Sequence, residues 1–428
     1  MLYASIAFII LMLIGLPIGY IFGVAAIIGY VDLGGLPFLR TIITRMHGGA
    51  QDFMLISIPF FILAAEFMNR GGITKRLINF TMNIIGHLRG GLSHANILVS
   101  MLFAGLTGVA ITDTVAIGKL LIPEMKEQGY DAGYSAAVTA TSSVMGPIIP
   151  PSVVMIIYAT LLRDVSVPAL FAGGMLPGIL IGVLLLLVSV IISRIKNYPV
   201  RDRAALKTIL LSGKDALLAM LTPVIILGGI LFGVTTVAEA AALGAFYALF
   251  LGVVVYRTIG LRDIWKSLEE TVIISGVVFL LLLGAGVLGW LVTRAGVPAA
   301  MTEIIIGISP NPLVQLALIN LFLIVLGMFI DVIPAVLIVA PIIVPAMHQL
   351  GFDPLHFAIV MLVNINLGNA TPPMGMTLMT ATKLADISYE KGMIPAIPFI
   401  ASMILVLIII SYLPISVLWI PRLLGLWS

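Results

Sequence analysis

The sequence predicts an all-α polytopic membrane protein made of two inverted-topology repeats, each holding a re-entrant helical hairpin and a broken helix. Three observations carry this. Hydrophobic residues make up 61% of the 428 and charged residues 10%, with a mean hydropathy of +1.21, far from the composition of a soluble domain. The 42 glycines and 24 prolines suit helices that pack closely and break at set points, and do not suit the short alternating strands of a membrane barrel. One unusual stretch, Gly146-Pro147-Ile148-Ile149-Pro150-Pro151-Ser152, recurs 222 positions later as Gly368-Asn369-Ala370-Thr371-Pro372-Pro373-Met374.

A Gly-x-x-x-Pro-Pro element cannot continue a helix, because adjacent prolines remove two amide donors and clash with the preceding turn. The carbonyls left without partners survive in hydrocarbon only when buried in protein or lining a wet cavity, so a duplicated break points to a transport site. A plain proline kink is the bland alternative, and duplication in register argues against it.

Taken in order, Leu2 to Val31 is longer than the ~20 residues one span needs, and Gly15-Leu16-Pro17 divides it into two spans. Met1 leads directly into apolar sequence with no charged leader, which predicts a retained first span. Residues 34–51 read as a loop carrying Arg40, Arg45 and His47, followed by a span from Phe53 to Met68. Arg70, Lys75, Arg76 and Arg89 mark a short amphipathic segment along the interface. Leu92 to Met125, interrupted at Gly105-Leu106-Thr107-Gly108, has arms too short for comfortable spans and reads as a hairpin. Asp131 to Arg163 holds the first break, Leu170 to Ile192 is a span, and residues 194–214 carry Arg194, Lys196, Arg201, Arg203, Lys207 and Lys214.

The second half repeats the plan. Leu217 to Val234, Glu239 to Val255 and Val272 to Val292 are spans, and residues 294–310 form a loop. Pro312 to Met347 is a second hairpin around Gly327, Asp353 to Asp386 holds the second break, and Ile394 to Leu418 is the last span. At the constant offset of 222, Gly105 matches Gly327, Pro123 matches Pro345, Asp131 matches Asp353, Thr160 matches Thr382 and Asp164 matches Asp386. Apolar segments share Leu and Ile by chance, whereas Gly, Pro, Asp and Thr in one register mark a true repeat. The six basic residues of 194–214 face only Arg422 at the equivalent end of the second repeat, and the four of 70–89 face only Arg294. The positive-inside rule then sets equivalent loops on opposite sides of the membrane, inverts the repeats, and predicts periplasmic N- and C-termini.

Other classes are excluded on content. The chain has no cysteine, hence no disulfide or thiolate site, and its five histidines show no metal spacing. No nucleophile stands beside a base, as a hydrolase needs. The net charge of +3 sits in loops and reads as topology, not as a nucleic-acid surface.

The runs Met101-Leu102-Phe103-Ala104-Gly105-Leu106-Thr107-Gly108, Pro123-Glu124-Met125, Gly146 to Ser152, Thr236-Val237-Ala238-Glu239-Ala240-Ala241 and Asn369-Ala370-Thr371-Pro372-Pro373-Met374-Gly375 resemble the large membrane subunit of tripartite ATP-independent periplasmic (TRAP) transporters. The wording of the first hairpin most resembles the sialic acid subgroup. The resemblance covers essentially the whole chain. It implies an elevator-type architecture of the ion-transporter superfamily and Na⁺-coupled import of an organic acid across the bacterial inner membrane. Sialic acid comes first as cargo, with a C4-dicarboxylate or another sugar acid open. It implies no enzyme activity and no cofactor beyond Na⁺. Its partners are a small four-helix membrane subunit and a periplasmic substrate-binding protein.

In domain terms the resemblance implies scaffold and interface helices at 1–91 and transport elements at 92–168. Scaffold follows at 169–306 with the basic linker 194–214, then transport elements at 307–391 and a final scaffold span at 392–428. One Na⁺ site is expected from Ala104, Thr107, Gly146, Ile149 and Pro151, and a second from Gly327, Ile330, Gly368, Thr371 and Pro373 or Met374, mostly through carbonyls. Thr107 and Ser152 are the first candidates for the substrate, with Asp113, Asp331, Asn366 and Asn369 behind them. Many relatives carry serine at position 107, and the extra methyl of Thr107 narrows the pocket. The hydroxyls could instead bond their own helices, and the two acids could pair with neighbouring backbone or lysine. Asp131 and Asp353 read as N-caps and Glu239 as a helix-start residue. A self-sufficient dicarboxylate symporter or inorganic-ion antiporter is the alternative function.

Overall fold

A computed structural model describes residues 2–35 and 39–428; the side chains of residues 2, 39, 49, 50 and 105–107 lie outside that description. The described chain is helical throughout. The first repeat runs α1 (Leu2–Leu13), α2 (Ile18–Gly34), α3 (Leu39–Ala50), α4 (Ser57–Arg70), α5 (Ile73–Ile85), α6 (Gly91–Thr107), α7 (Ala110–Glu127), α8 (Ala132–Ser143), α9 (Val153–Leu162) and α10 (Val167–Ile195). The second runs α11 (Leu206–Leu231), α12 (Val237–Phe250), α13 (Leu261–Arg294), α14 (Val297–Ile308), α15 (Pro312–Phe329), α16 (Val332–Gln349), α17 (Pro354–Gly368), α18 (Met376–Leu384), α19 (Tyr389–Tyr412) and α20 (Ile415–Leu423). Among the described residues, eight helical segments are long and apolar enough to cross a membrane.

The offset of 222 holds beyond the motifs. It carries α5 onto α14, the hairpin α6–α7 onto α15–α16, the broken pair α8–α9 onto α17–α18, and the start of α10 onto the start of α19. It also carries the start of α3 onto the start of α13, so one continuous 34-residue helix in the second repeat stands where the first has α3, a loop and α4. The first repeat is interrupted there: α3 ends at Ala50, and the Asp52 carboxylate accepts a 3.0 Å bond from Met54 N, starting a new turn.

Several boundaries differ from the sequence reading. Residues 39–50 are a helix and not a loop. Their Ile42 and Met46, one turn apart, pack beside Tyr30 and Trp290, while Arg45 lies 5.2 Å over the Trp290 ring. Residues 297–308 are likewise helical, started by Pro298 at the first turn. α11 and α13 each begin 11 residues before the predicted spans, because their charged first turns continue the helix out of the apolar region. The basic linker therefore ends at Ala205. The last span begins at Tyr389 and stops at Tyr412, where Pro414 starts the separate α20. α5 is the predicted amphipathic helix, with Ile73, Thr74, Leu77, Ile78 and Thr81 buried at three- and four-residue spacing.

The repeats are inverted in the folded chain. At one end, Ile195 and Lys196 closing α10 share a cavity with Lys391 and Ile394 opening α19, so these equivalent helices run antiparallel. A methyl built on Gly133, at the start of α8, would lie 2.3 Å from Lys391 O at that same end. At the other end, the start of α17 meets the close of α19, where His356 Nε2 donates to Ile410 O at 2.8 Å. The two broken helices therefore enter from opposite faces. Asp131 and Asp353 cap them, accepting from Tyr134 N at 2.8 Å and His356 N at 2.9 Å. Every residue of α8 from Gly133 and of α17 from Leu355 is buried, which is what irregular backbone at membrane depth requires.

Candidate functional site

Each hairpin tip meets the break of its own repeat. In the first, α6 ends at Gly108, whose φ of 62° turns the chain into α7. A Cβ there would lie 2.7 Å from Val153 N, so the tip sits against the first amide of α9. Ser152 is fully buried and caps that helix. Its Oγ accepts from Met155 N at 3.3 Å and donates to Pro147 O at 2.6 Å, closing the break on itself. From the second arm, Asp113 reaches the break, and a methyl on Gly146 would sit 2.2 Å from Asp113 Oδ2. A side chain at position 146 would have to displace that carboxylate, and its Cβ would lie 3.2 Å from Ser143 O.

The second junction has the same plan and different chemistry. A Cβ on Gly368 would lie 2.5 Å from Gly327 C, and one on Gly327 would lie 2.5 Å from Ile365 O, so tip and break touch backbone to backbone. Gly375 N, the equivalent of Val153 N, donates to Met328 O of the tip at 3.4 Å. Asp331 opens α16 and accepts from Asn369 Nδ2 at 3.0 Å. Thr377 donates to Asn369 O twice, from its amide at 3.1 Å and its Oγ1 at 3.0 Å. Asn366 Nδ2 donates to Leu362 O at 2.7 Å, and Thr371 Oγ1 to Leu367 O at 2.7 Å. The side-chain Oδ1 atoms of both Asn366 and Asn369 are buried without a protein donor, as a hard cation or a substrate hydroxyl would require. Both Pro-Pro peptide bonds are cis.

The sequence-predicted residues thus divide between two junctions. Ala104, Gly146, Ile149, Pro151, Ser152 and Asp113 gather at the first, where Ile149 also packs on Gly178 of α10. The side chain of Thr107 lies outside the described residues. Gly327, Ile330, Gly368, Thr371, Pro373, Met374, Asp331, Asn366 and Asn369 gather at the second, with Pro373 and Met374 exposed. The two acids occupy inequivalent positions. Asp113 answers to Ala335 and Asp331 to Val109.

Polar fasteners missed in the sequence hold each hairpin to its break. Between α6 and α8, Asn96 Nδ2 donates to Thr139 Oγ1 at 2.7 Å and Ser100 Oγ to Ser142 Oγ at 2.9 Å. Between α15 and α17, Asn364 Nδ2 donates to Asn320 Oδ1 at 3.0 Å, and Asn320 Nδ2 in turn donates to Ser411 Oγ of α19 at 2.9 Å. The signal was present, since Ser142 and Asn364 are 222 apart and polar inside apolar helices. The repeats are also tied to each other: Lys126 Nζ donates to Ala385 O at 2.7 Å, and His348, equivalent to Lys126, pairs with Asp164 at 3.5 Å.

Residues 5–415 match the family described as Tripartite ATP-independent periplasmic transporter, DctM component. The chain belongs to the DctM family of TRAP transporters. This DctM chain is 38% identical over 415 residues to the sialic acid TRAP transporter large permease protein SiaM of Vibrio cholerae, covering 96% of both chains. It is 34% identical to the C4-dicarboxylate TRAP transporter large permease protein DctM of Pseudomonas aeruginosa, covering 91% of both. It is 32% identical to the 2,3-diketo-L-gulonate TRAP transporter large permease protein YiaN of Escherichia coli, covering 94% of both. The fold is that of solved transporters. The YdaH transporter of Alcanivorax borkumensis superimposes with a TM-score of 0.62 at 14% identity, covering 92% of this chain and 90% of that one. MtrF of Neisseria gonorrhoeae gives 0.56 at 13%, covering 89% and 84%. The DctM chain is accordingly a multi-pass membrane permease subunit with a transport role.

Proposed function

We propose that this DctM chain imports an organic acid coupled to Na⁺, moving its hairpins and broken helices as one block against the remaining helices. The observation that carries the reading is the pair of crossed junctions, in which a hairpin tip closes on a break inside the protein. Unwound backbone offers Na⁺ carbonyl oxygens at no charge cost, and the N-terminal ends of α9 and α18 offer a carboxylate a positive dipole end. The first Na⁺ is assigned to Ala104, Thr107, Gly146, Ile149 and Pro151, and the second to Gly327, Ile330, Gly368, Thr371 and Pro373 or Met374. Ser152, Thr107, Asp113, Asp331, Asn366 and Asn369 are assigned to the acid. The cross-repeat ties at Lys126 and His348 favour a block that moves whole.

Sialic acid is the first choice of cargo because SiaM is the relative with 38% identity, with C4-dicarboxylates and sugar acids next. The family supplies the working partners, a small membrane subunit and a periplasmic binding protein, in the inner membrane with the basic face cytoplasmic. The domain limits stay as the sequence drew them: transport elements at 92–168 and 307–391, scaffold elsewhere.

Proteoliposomes holding both membrane subunits test this. Uptake of the acid is expected only with the binding protein and an inward Na⁺ gradient. Uptake that persists without the binding protein, or in K⁺, defeats the tripartite Na⁺-coupled reading and favours a self-sufficient carrier.

A further inference from the structure

A cavity of about 530 Å³ opens between α3, α9 and α13, lined by Thr41, Thr44, Arg45, Thr160 and Arg163 on one side and by Leu282 and its neighbours on the other. It lies at the face where α9 and α13 end, opposite the face carrying the basic stretch 194–205. Its two cations are held in place. Arg45 rests on Trp290, which stacks on Tyr30 at 5.2 Å, and Tyr30 is anchored by its hydroxyl donating to Val287 O at 3.3 Å. Arg163 closes α9 with a φ of 58° and donates to Asp52 at 2.9 Å while its side chain stays 63% exposed. Among the described residues no acid lines this cavity, and the carboxylate of Asp52 lies behind Arg163. Neither cation is repeated, since the equivalent positions are Ser267 and Ala385.

A second cavity of about 430 Å³ lies nearer the other face, between α4, α7 and α13, and its charges cancel. Arg70 and Lys119 face Glu66 and Glu270, with Arg70 bonded to Glu270 at 2.7 Å and to Glu66 at 3.4 Å. With Asp52 pairing Arg163, the first cavity keeps one net positive charge, on Arg45, whereas the charges of the second cancel.

We propose that the α3–α9–α13 cavity is a carboxylate reception site. Arg45 and Arg163 capture the acid's carboxylate there, the threonines take its hydroxyls, and α9 leads from that mouth to the break at its opposite end. The neutral second mouth gives an anion no comparable hold, so capture is favoured at one face only. The inference rests on the organic-acid reading above.

The cysteine-free chain allows a test that does not depend on transport. Thr160→Cys, in the two-subunit complex in detergent, is labelled with 2-sulfonatoethyl methanethiosulfonate or with its trimethylammonium counterpart. The anionic reagent should react at least about fivefold faster. The organic acid should slow it, and the preference should vanish in Arg45→Gln/Arg163→Gln and return in Arg45→Lys/Arg163→Lys. Equal rates, or a preference that survives the double Gln variant, overturn the reception site. In proteoliposomes Arg45→Gln and Arg163→Gln should each raise the KM for uptake about tenfold with kcat kept, whereas Lys119→Gln should not. An unchanged KM in both arginine variants also overturns it. A preserved labelling preference with no uptake of any organic acid by the unaltered complex defeats the proposed function instead.

Discussion

The two breaks share a motif and a backbone path, yet one is sealed and the other is half open. Pro150, Pro151 and Ser152 are buried, whereas Pro373 is exposed and Met374 is 43% exposed. The first break ends in a hydroxyl that caps α9 and bonds back to Pro147 O, so the side chain at position 152 is satisfied locally. The second has no hydroxyl at that position. It leans on Asp331, Thr377 and two asparagines, whose side-chain Oδ1 atoms face no protein donor. Duplication copies the break in the chain, and the side chains around it decide whether it is closed or left ready for a ligand.

The largest expected effect separates the junctions by what a single methyl would strike. Gly368→Ala places Cβ against the backbone of Gly327 and the carbonyl of Ile324, 2.5 and 2.7 Å away, and neither can rotate aside. Gly146→Ala strikes chiefly the carboxylate of Asp113, which can turn. Overpacking costs about 1–3 kcal/mol and more where backbone must move, so Gly368→Ala should abolish uptake and lower the melting temperature in detergent well below that of Gly146→Ala. Asp113→Ala should recover part of the Gly146→Ala loss in folded yield. Equal damage from the two glycine variants would show that the junctions are equally rigid.

A smaller effect tests the inequivalent acids. Removing one partner of the Asp331–Asn369 pair strands a buried polar group, at about 1–3 kcal/mol. The double-mutant cycle of Asp331→Ala and Asn369→Ala, read by thermal unfolding, should show coupling on the order of 0.5–3 kcal/mol. The first repeat has Val109 and Pro147 at those positions and has no such pair to lose. Coupling near zero would mean that the contact only fills space.

Much of this was legible in the sequence for a physical reason. Gly, Pro and Asp in register carry backbone information, so both hairpins, both breaks and the Asp131 and Asp353 caps could be read directly. Charge counts gave the inversion because loops at the two faces are charged differently. Residues 39–50 could not be read so easily. Arg40, Arg45 and His47 look like a loop until Trp290, far along the chain, supplies the surface on which the helix lies. The fasteners at Asn320 and Asn364 were also hidden, because a polar residue in an apolar helix declares itself only when its partner is in view. The difference between a buried first break and a partly exposed second one was not legible, since exposure depends on the packing of the whole fold.

The smallest effect bears on the equivalent positions 152 and 374. Ser152→Ala removes an N-cap and leaves Pro147 O without its donor, a loss of about 1–2 kcal/mol, while Met374→Ala should change stability by less than about 0.5 kcal/mol because its side chain is already exposed. If Ser152 only caps α9, uptake should fall in proportion to the folded protein lost. If its hydroxyl also holds the acid, the KM per folded transporter should rise, and Ser152→Thr, which keeps the hydroxyl, should restore part of it. Because Ser152 is buried with both hydrogen-bonding roles taken, contact with the acid requires its bond to Pro147 O to be exchanged for one to substrate. Should Thr107→Ala and Ser152→Ala both leave uptake per folded protein unchanged, the acid is held by the open junction, through Asn366, Asn369 and Asp331, and the closed break serves as its structural counterpart.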